Sequence, residues 1–164
     1  MVNVRERTKV DGPWIESRLQ TWMGSDVIAV HGEVFRPADH DGFVAEDDGR
    51  RSGLLTYRFD GDGGLEVLTI EAVIEDRGVG TALLQAAIEA AREAGCSRLW
   101  LVTTNDNVDA LRFYQRRGMR LVALRPGAVD DARAQLKPEI PLEAENGIAI
   151  RDEIELEIRF DDGW

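Results

Sequence analysis

An α+β fold, with a mixed and mostly antiparallel central sheet flanked by helices, is predicted by three observations on this 164-residue sequence. The first half reads as a meander of short strands. The hydrophobic period then lengthens from two residues to that of a helix over 81–95. At the change sits EDRGVGTALL (75–84), with two glycines one residue apart.

The elements follow in order. VNVRERTK (2–9) alternates apolar and polar residues for a few positions, as an edge strand does. PWIESRLQTWMG (13–24) reads as a short helix. Pro13 suits its first turn, Trp14, Ile15, Leu19 and Trp22 are spaced for one face, and Gly24 suits the stop. VIAVHGEVF (27–35) reads as one strand and RPADHDG (36–42) as a turn. FVAE (43–46) and RSGLLTYRF (51–59) are strands joined by the hairpin signal Asp47-Asp48-Gly49-Arg50. DGDGG (60–64) turns the chain into the strand LEVLTIEAV (65–73).

In TALLQAAIEAAREAG (81–95), Leu84, Ala87, Ile88 and Ala91 share a helical face, and Gly95 is the stop. CSRLWLVTT (96–104) is apolar enough for a buried central strand. NDNVDALRFYQRRG (105–118) opens on capping residues and closes on Gly118, so a second helix is predicted. MRLVALR (119–125) is a strand, and 126–151 is a long connection with a helical turn or two near 128–136. DEIELEIRF (152–160) alternates strictly. That predicts a half-exposed strand, with Ile154, Leu156, Ile158 and Phe160 inside and Glu153, Glu155, Glu157 and Arg159 in solvent. Neither a repeat nor a linker interrupts the chain, so residues 1–164 are expected to form a single domain.

Composition narrows the function. With 43% apolar and 31% charged residues, the chain suits an ordinary soluble globular protein. Its apolar runs are far shorter than the ~20 residues of a membrane span. The N-terminus lacks the apolar core of a signal peptide. The single cysteine, Cys96, excludes an internal disulfide and fits a cytoplasmic location. One cysteine and two histidines do not suggest a metal site. A net charge of −11 argues against nucleic acid as partner. It favours cationic small molecules or basic peptides weakly, since acidic surfaces also serve solubility.

The glycine turn has the chemistry of an anion site. Amides at a helix N-terminus, with the helix dipole behind them, attract a phosphate, and glycine lets it approach. No lysine follows as a P-loop requires. Leu83 stands where a dinucleotide fingerprint has a small residue.

A second motif defines the site. The six residues Glu75-Asp76-Arg77-Gly78-Val79-Gly80, followed by Asn107-Val-Asp-Ala110-Leu-Arg-Phe113-Tyr114-Gln-Arg-Arg-Gly118-Met119, resemble the paired motifs of the GNAT superfamily of N-acetyltransferases. The resemblance covers roughly residues 27 to 125. It implies an acyltransferase that uses acetyl-CoA as co-substrate and moves the acetyl group directly to an amine. Amides of residues 77 to 82 (Arg77, Gly78, Val79, Gly80, Thr81, Ala82) would hold the pyrophosphate. The pantetheine arm would run along the strand end at Ala72 and Val73. Asn107 and Ala110 would touch CoA, and Tyr114 would also protonate the departing thiolate. The sequence departs from the family at Glu75, where glutamine or arginine is usual, and Asp76 adds a second carboxylate.

Acetyl transfer needs a neutral amine, so a carboxylate is sought as base. Glu66 and Glu71 lie on the strand before the turn, where the family often carries one. Alternation puts Glu66 with Leu68 and Ile70 and sends Glu71 to the other face, unless a bulge intervenes. His31 and His40 are weaker candidates, and Cys96 reads as an inert core thiol. Trp14, Trp22 and the connection 126–151 could line the acceptor pocket. The acceptor is a small-molecule or peptide amine, and the chain a monomer or homodimer. Two rival readings use the same fold: a non-catalytic acyl-CoA-binding or regulatory module, and an interaction domain whose contact is the acidic face at 153–157.

Overall fold

The computed structural model describes residues 1–74 and 77–160. Its elements are β1 (Val2–Glu6), α1 (Gly12–Met23), β2 (Ile28–Val30), β3 (Glu33–Phe35), β4 (Asp41–Asp47), β5 (Arg50–Phe59), β6 (Gly64–Ala72), α2 (Val79–Glu93), β7 (Arg98–Thr104), α3 (Val108–Arg116), β8 (Arg120–Arg125), α4 (Ala128–Gln135) and β9 (Glu153–Arg159). Seven strands make the mixed, mostly antiparallel main sheet, and β2 and β3 make a separate two-stranded one. The predicted fold class is the one observed. The chain falls into two compact units. One holds Met1–Val27, Arg36–Leu99 and, at the end of the described residues, Arg159 and Phe160; the other holds Ile28–Phe35 and Trp100–Ile158.

In the first unit the strand order is β1-β4-β5-β6, with antiparallel neighbours. Successive residues of β5 face opposite layers. Leu54 packs with Ile15 and Leu19 of α1. Gly53 meets α2: a Cβ there would lie 2.5 Å from Val79 Cγ1 and 3.1 Å from Leu83 Cδ1. The helices therefore cover opposite faces of this part of the sheet. Leu84, Ala87, Ile88 and Ala91 are buried as the periodicity predicts. Of the four residues predicted on one face of α1, Ile15 and Leu19 are buried and Trp14 half-buried, whereas Trp22 is 45% exposed.

In the second unit the order is β7-β9-β8. The segment 27–35 is not one strand. His31 (φ 40°) and Gly32 (φ 82°) are both left-handed and turn β2 back onto β3. Two left-handed residues make the tight hairpin turn that matches strand twist. The connection 126–151 contains α4, close to the predicted helical turns, and Arg133 ties it down. Its guanidinium donates to the carbonyls of Ile140, Pro141 and Ile150.

The closing strand β9 departs from prediction. Glu153 and Glu155 are buried. Glu153 accepts the His31 N–H, and Glu155 pairs with Arg125. The acidic face proposed as a contact surface is therefore largely covered. Nor is β9 an edge strand in its unit; β8 is. No helix among the described residues is long and apolar enough to cross a membrane.

Candidate active site

Gly78 opens α2 in the left-handed conformation (φ 74°). Its Cβ position faces open space, so the turn needs glycine for its backbone and not for room. Behind it, Ala82 N–H already donates to the Gly78 carbonyl. The Ala82 amide, expected among those at the pyrophosphate, is thus already engaged within the helix. Val79 and Gly80 keep N–H groups without a partner among the described residues, as the first turn of a helix must. The Val79 side chain is buried. Arg77 lies 3.5 Å from Asp47, which also takes the N-terminal ammonium at 3.2 Å. Glu75 and Asp76, the departure from the family pattern, lie outside the described residues.

The close seat of α2 explains Leu83. In a dinucleotide turn, the third glycine lets helix and strand approach. Here the strand supplies the small residue. Gly53 Cβ would also meet the Glu71 carbonyl at 2.7 Å. The missing side chain on β5 leaves room for Val79 and Leu83, so the helix needs no third glycine.

The predicted opposition of Glu66 and Glu71 is overturned by a bulge. Thr56 pairs with Thr69 but Tyr57 with Val67, which leaves Leu68 as the extra residue. Arg58, Thr56 and Leu54 share a face of β5 by alternation, and their partners are Glu66, Thr69 and Glu71. Cross-strand partners project to the same side. Both glutamates therefore lie on the α1 face, without Leu68.

Their surroundings differ. Glu66, 1% exposed, accepts Arg58 Nε at 2.7 Å. Thr56 and Thr69 share a 2.6 Å hydroxyl hydrogen bond between the two glutamate positions. Glu71, 8% exposed, takes Arg18 of α1 on Oε1, and its Oε2 has no hydrogen-bond partner among the described residues. Ser52 Oγ and Arg18 Nε are likewise buried and unpartnered. Ser52 lies two residues from Leu54 on the same face, diagonal to Glu71. Ala72 pairs with Gly53, and Val73 N–H donates to the Ser52 carbonyl at 2.7 Å.

Three further candidates lie in the second unit, all on or beside α3. Asn107 occupies the N-cap but makes no capping bond. Among the described residues its exposed side chain reaches Thr103 Oγ1, at 3.4 Å, and no helix amide, so its cap role is not the one sequence suggests. Ala110 is half-buried one turn before Tyr114. Tyr114 is 7% exposed, with its ring edge-on to Phe113 at 5.5 Å. Burial alone pushes its phenol well above the ordinary range.

Other residues take structural parts. Burial, then Asp60, raises the thiol of half-buried Cys96, which fits an inert group. His31 sits in the hairpin turn with Nδ1 3.2 Å from Glu33. His40 gives its carbonyl to Arg7. Asn105 was not singled out by sequence. Its Oδ1 accepts the N–H groups of Arg151 and Asp152, and its Nδ2 donates to Ala149. An asparagine beside another in NDN carries no signal that says which one anchors a distant loop.

Comparison with known proteins agrees with this architecture. The Acetyltransferase (GNAT) family model matches residues 7–119. YdhI of Bacillus subtilis (strain 168), described as an uncharacterized protein, is 48% identical over 132 residues, 80% of this chain and 81% of its own. The IAA acetyltransferase from Bacillus cereus ATCC 14579 superposes with a TM-score of 0.78 at 23% identity, over 98% of this chain and 100% of that one. A GNAT family acetyltransferase from Elizabethkingia anophelis, solved with acetyl-CoA bound, superposes at 0.69 and 16% identity, over 97% and 98%. The chain belongs to the GNAT family of acetyltransferases.

Proposed function

We propose that residues 1–164 act as one acetyl-CoA-dependent N-acetyltransferase domain that moves the acetyl group directly to an amine. The residues present suit the co-substrate. Val79 and Gly80 offer open amides at the head of a 15-residue helix whose seat is fixed at Gly53. When bound, acetyl-CoA supplies a thioester carbonyl open to attack by a neutral amine. Val79, Gly80 and Thr81 hold the pyrophosphate, with Arg77 and Gly78 shaping the turn. Ala72, Val73, Asn107 and Ala110 supply the remaining contacts. Glu71 Oε2 takes the proton that the amine must lose, and Tyr114 Oη gives one to the sulfur. The cytoplasm is its place of action, as one cysteine without a disulfide partner suits.

One observation carries the enzymatic reading over a binding module. Glu71 is a buried carboxylate held by a cation on one oxygen, with the other oxygen unpartnered. A buried acceptor left open costs about 1–3 kcal/mol, and a purely structural glutamate has no use for it. Glu66, whose Oε1 is engaged by Arg58, is assigned to holding the bulged strand.

Calorimetric titration with acetyl-CoA, with acetyl-pantetheine as the control lacking pyrophosphate, tests the cradle. Micromolar binding that needs the pyrophosphate, with amine-dependent release of the CoA thiol, is the expected outcome. Binding without release on any amine would favour the regulatory module.

A further inference from the structure

The second unit holds a cavity of about 360 Å³ whose walls include His31, Arg125, Asp131, Gln135, Leu136 and Glu153. Its floor is unusual. Glu153 is only 3% exposed, yet its partner is the His31 backbone N–H, at 3.1 Å and 3.3 Å to its two oxygens. Among the described residues it makes no ion pair. Taking a carboxylate out of water without a cation costs several kcal/mol. The arginine in the wall supplies only part of that charge: Arg125 lies across the strands from Glu153, but its Nη2 is given to Glu155 and its buried Nη1 reaches no acceptor among the described residues, so one guanidinium serves two carboxylates. Asp131, on α4, adds a second carboxylate with no ion pair among the described residues. Arg125 and Glu155 cancel, which leaves the cavity two negative charges in excess. His31 cannot offset them without a proton, and its Nδ1 already faces Glu33.

We propose that this cavity binds the cationic group of an organic amine, an ammonium or guanidinium seated against Glu153 with Asp131 at the rim. A protonated amine supplies the charge that Glu153 lacks and the N–H donors that both carboxylates can accept. Leu136, Ala128 and Ala132 offer apolar wall for an alkyl stem. Metal is a poorer occupant: no group of three or more His, Cys, Asp or Glu among the described residues is placed to hold one. Taking this cation to belong to the acceptor rests on the acetyltransferase reading. The acceptor class is then an amine that carries a second cationic group.

The test separates the two ideas. The protein, saturated with CoA, is titrated calorimetrically with 1,4-diaminobutane and with the neutral 1,4-butanediol, as wild type and as Glu153→Gln. The site predicts diamine binding weakened at least ~10-fold in the variant, the loss of one charge-assisted contact, and no binding of the diol. Asp131→Asn, at an exposed position, should weaken binding by a smaller factor. Misfolding is checked in the same samples. Glutamine fills the same space without a buried charge, so Tm should hold or rise by about 2–4 °C. Equal diamine affinity in wild type and Glu153→Gln, or diol binding, would overturn the site. Sensitivity of binding to Glu153→Gln, with no amine ever acetylated, would keep the site and sink the acetyltransferase reading. Turnover of the diamine unchanged by Glu153→Gln would do the reverse.

Discussion

Tyr114 Oη lies in an apolar setting, and burial holds its proton in place well beyond the pH at which an ordinary phenol ionises. A proton donor benefits, because it never arrives empty. Glu71, the proposed base, has the opposite task. Arg18 holds its Oε1, which leaves Oε2 as the oxygen that would accept a proton in the proposed reaction. Removing each group should leave different traces. Tyr114→Phe keeps the buried ring, so turnover should fall by about 10²-fold, within the range for general acid catalysis, while acetyl-CoA affinity stays within a factor of about three. Since the phenol is shifted upward, wild-type turnover should show no loss from Tyr114 ionisation up to about pH 10. Glu71→Gln should cost about 10²–10⁴-fold in turnover and leave acetyl-CoA affinity intact. Steady-state rates beside calorimetry read both. Undiminished turnover in either variant removes that residue from the mechanism.

At the scale of the element, most of the architecture was legible because the periods were strong. The helix at 79–93 carries an unbroken apolar stripe, and the helices that precede Gly24 and Gly95 stop where glycine predicts. Four features were not legible, each because a neighbour decides them. The turn at His31-Gly32 lacks the Asn-Gly or Asp-Gly signature, so β2 and β3 read as one strand. The bulge at Leu68 leaves no mark on the sequence, since any residue can be the extra one, and it reverses the face of every residue beyond it. Glu153 and Glu155 alternate as a solvent face should, but the His31 turn and Arg125 reach them. Gly53 was silent too: inside a strand it reads as weak sheet, and its meaning comes from Val79 and Leu83. This gives an element-level prediction. In Gly53→Ala the new methyl meets Val79 at 2.5 Å and backbone at 2.7 Å, so α2 must shift. Stability should drop by about 1–3 kcal/mol, the cost of overpacking. Acetyl-CoA affinity should fall with it, toward the weak binding expected of acetyl-pantetheine, which lacks the pyrophosphate. A variant that binds acetyl-CoA normally would show that the seat of α2 does not set the cradle.

For the whole molecule, a net charge of −11 means that carboxylates must find either solvent or cations. In the first unit, several buried carboxylates have found cations: Glu66 with Arg58, Glu71 with Arg18, and Asp11 with Arg5 and Arg51. The cluster around Asp11 joins distant parts of that unit. Asp11 is fully buried. It accepts Arg5 of β1 at 2.8 and 2.9 Å, Arg51 of β5 at 3.0 Å and the Thr8 N–H at 2.8 Å. The Arg5 hydrogen bonds above all, against the opposing effect of burial, hold its carboxyl far below the ordinary range. A folded-state pKa lowered in this way contributes stability that is complete above the unfolded value, about 3.9, and is lost as pH falls through and below it. Asp11→Asn should therefore cost about 2–3 kcal/mol near pH 7, somewhat less than a fully buried pair because both arginines are partly exposed. The gap between variant and wild type should then narrow as pH drops toward 3, where the wild-type carboxylate is also losing its advantage. Urea melts at pH 7, 5 and 3 read this directly. A gap that stays constant across the three would mean that packing at Asp11, and not its charge, holds β1 and β5 together.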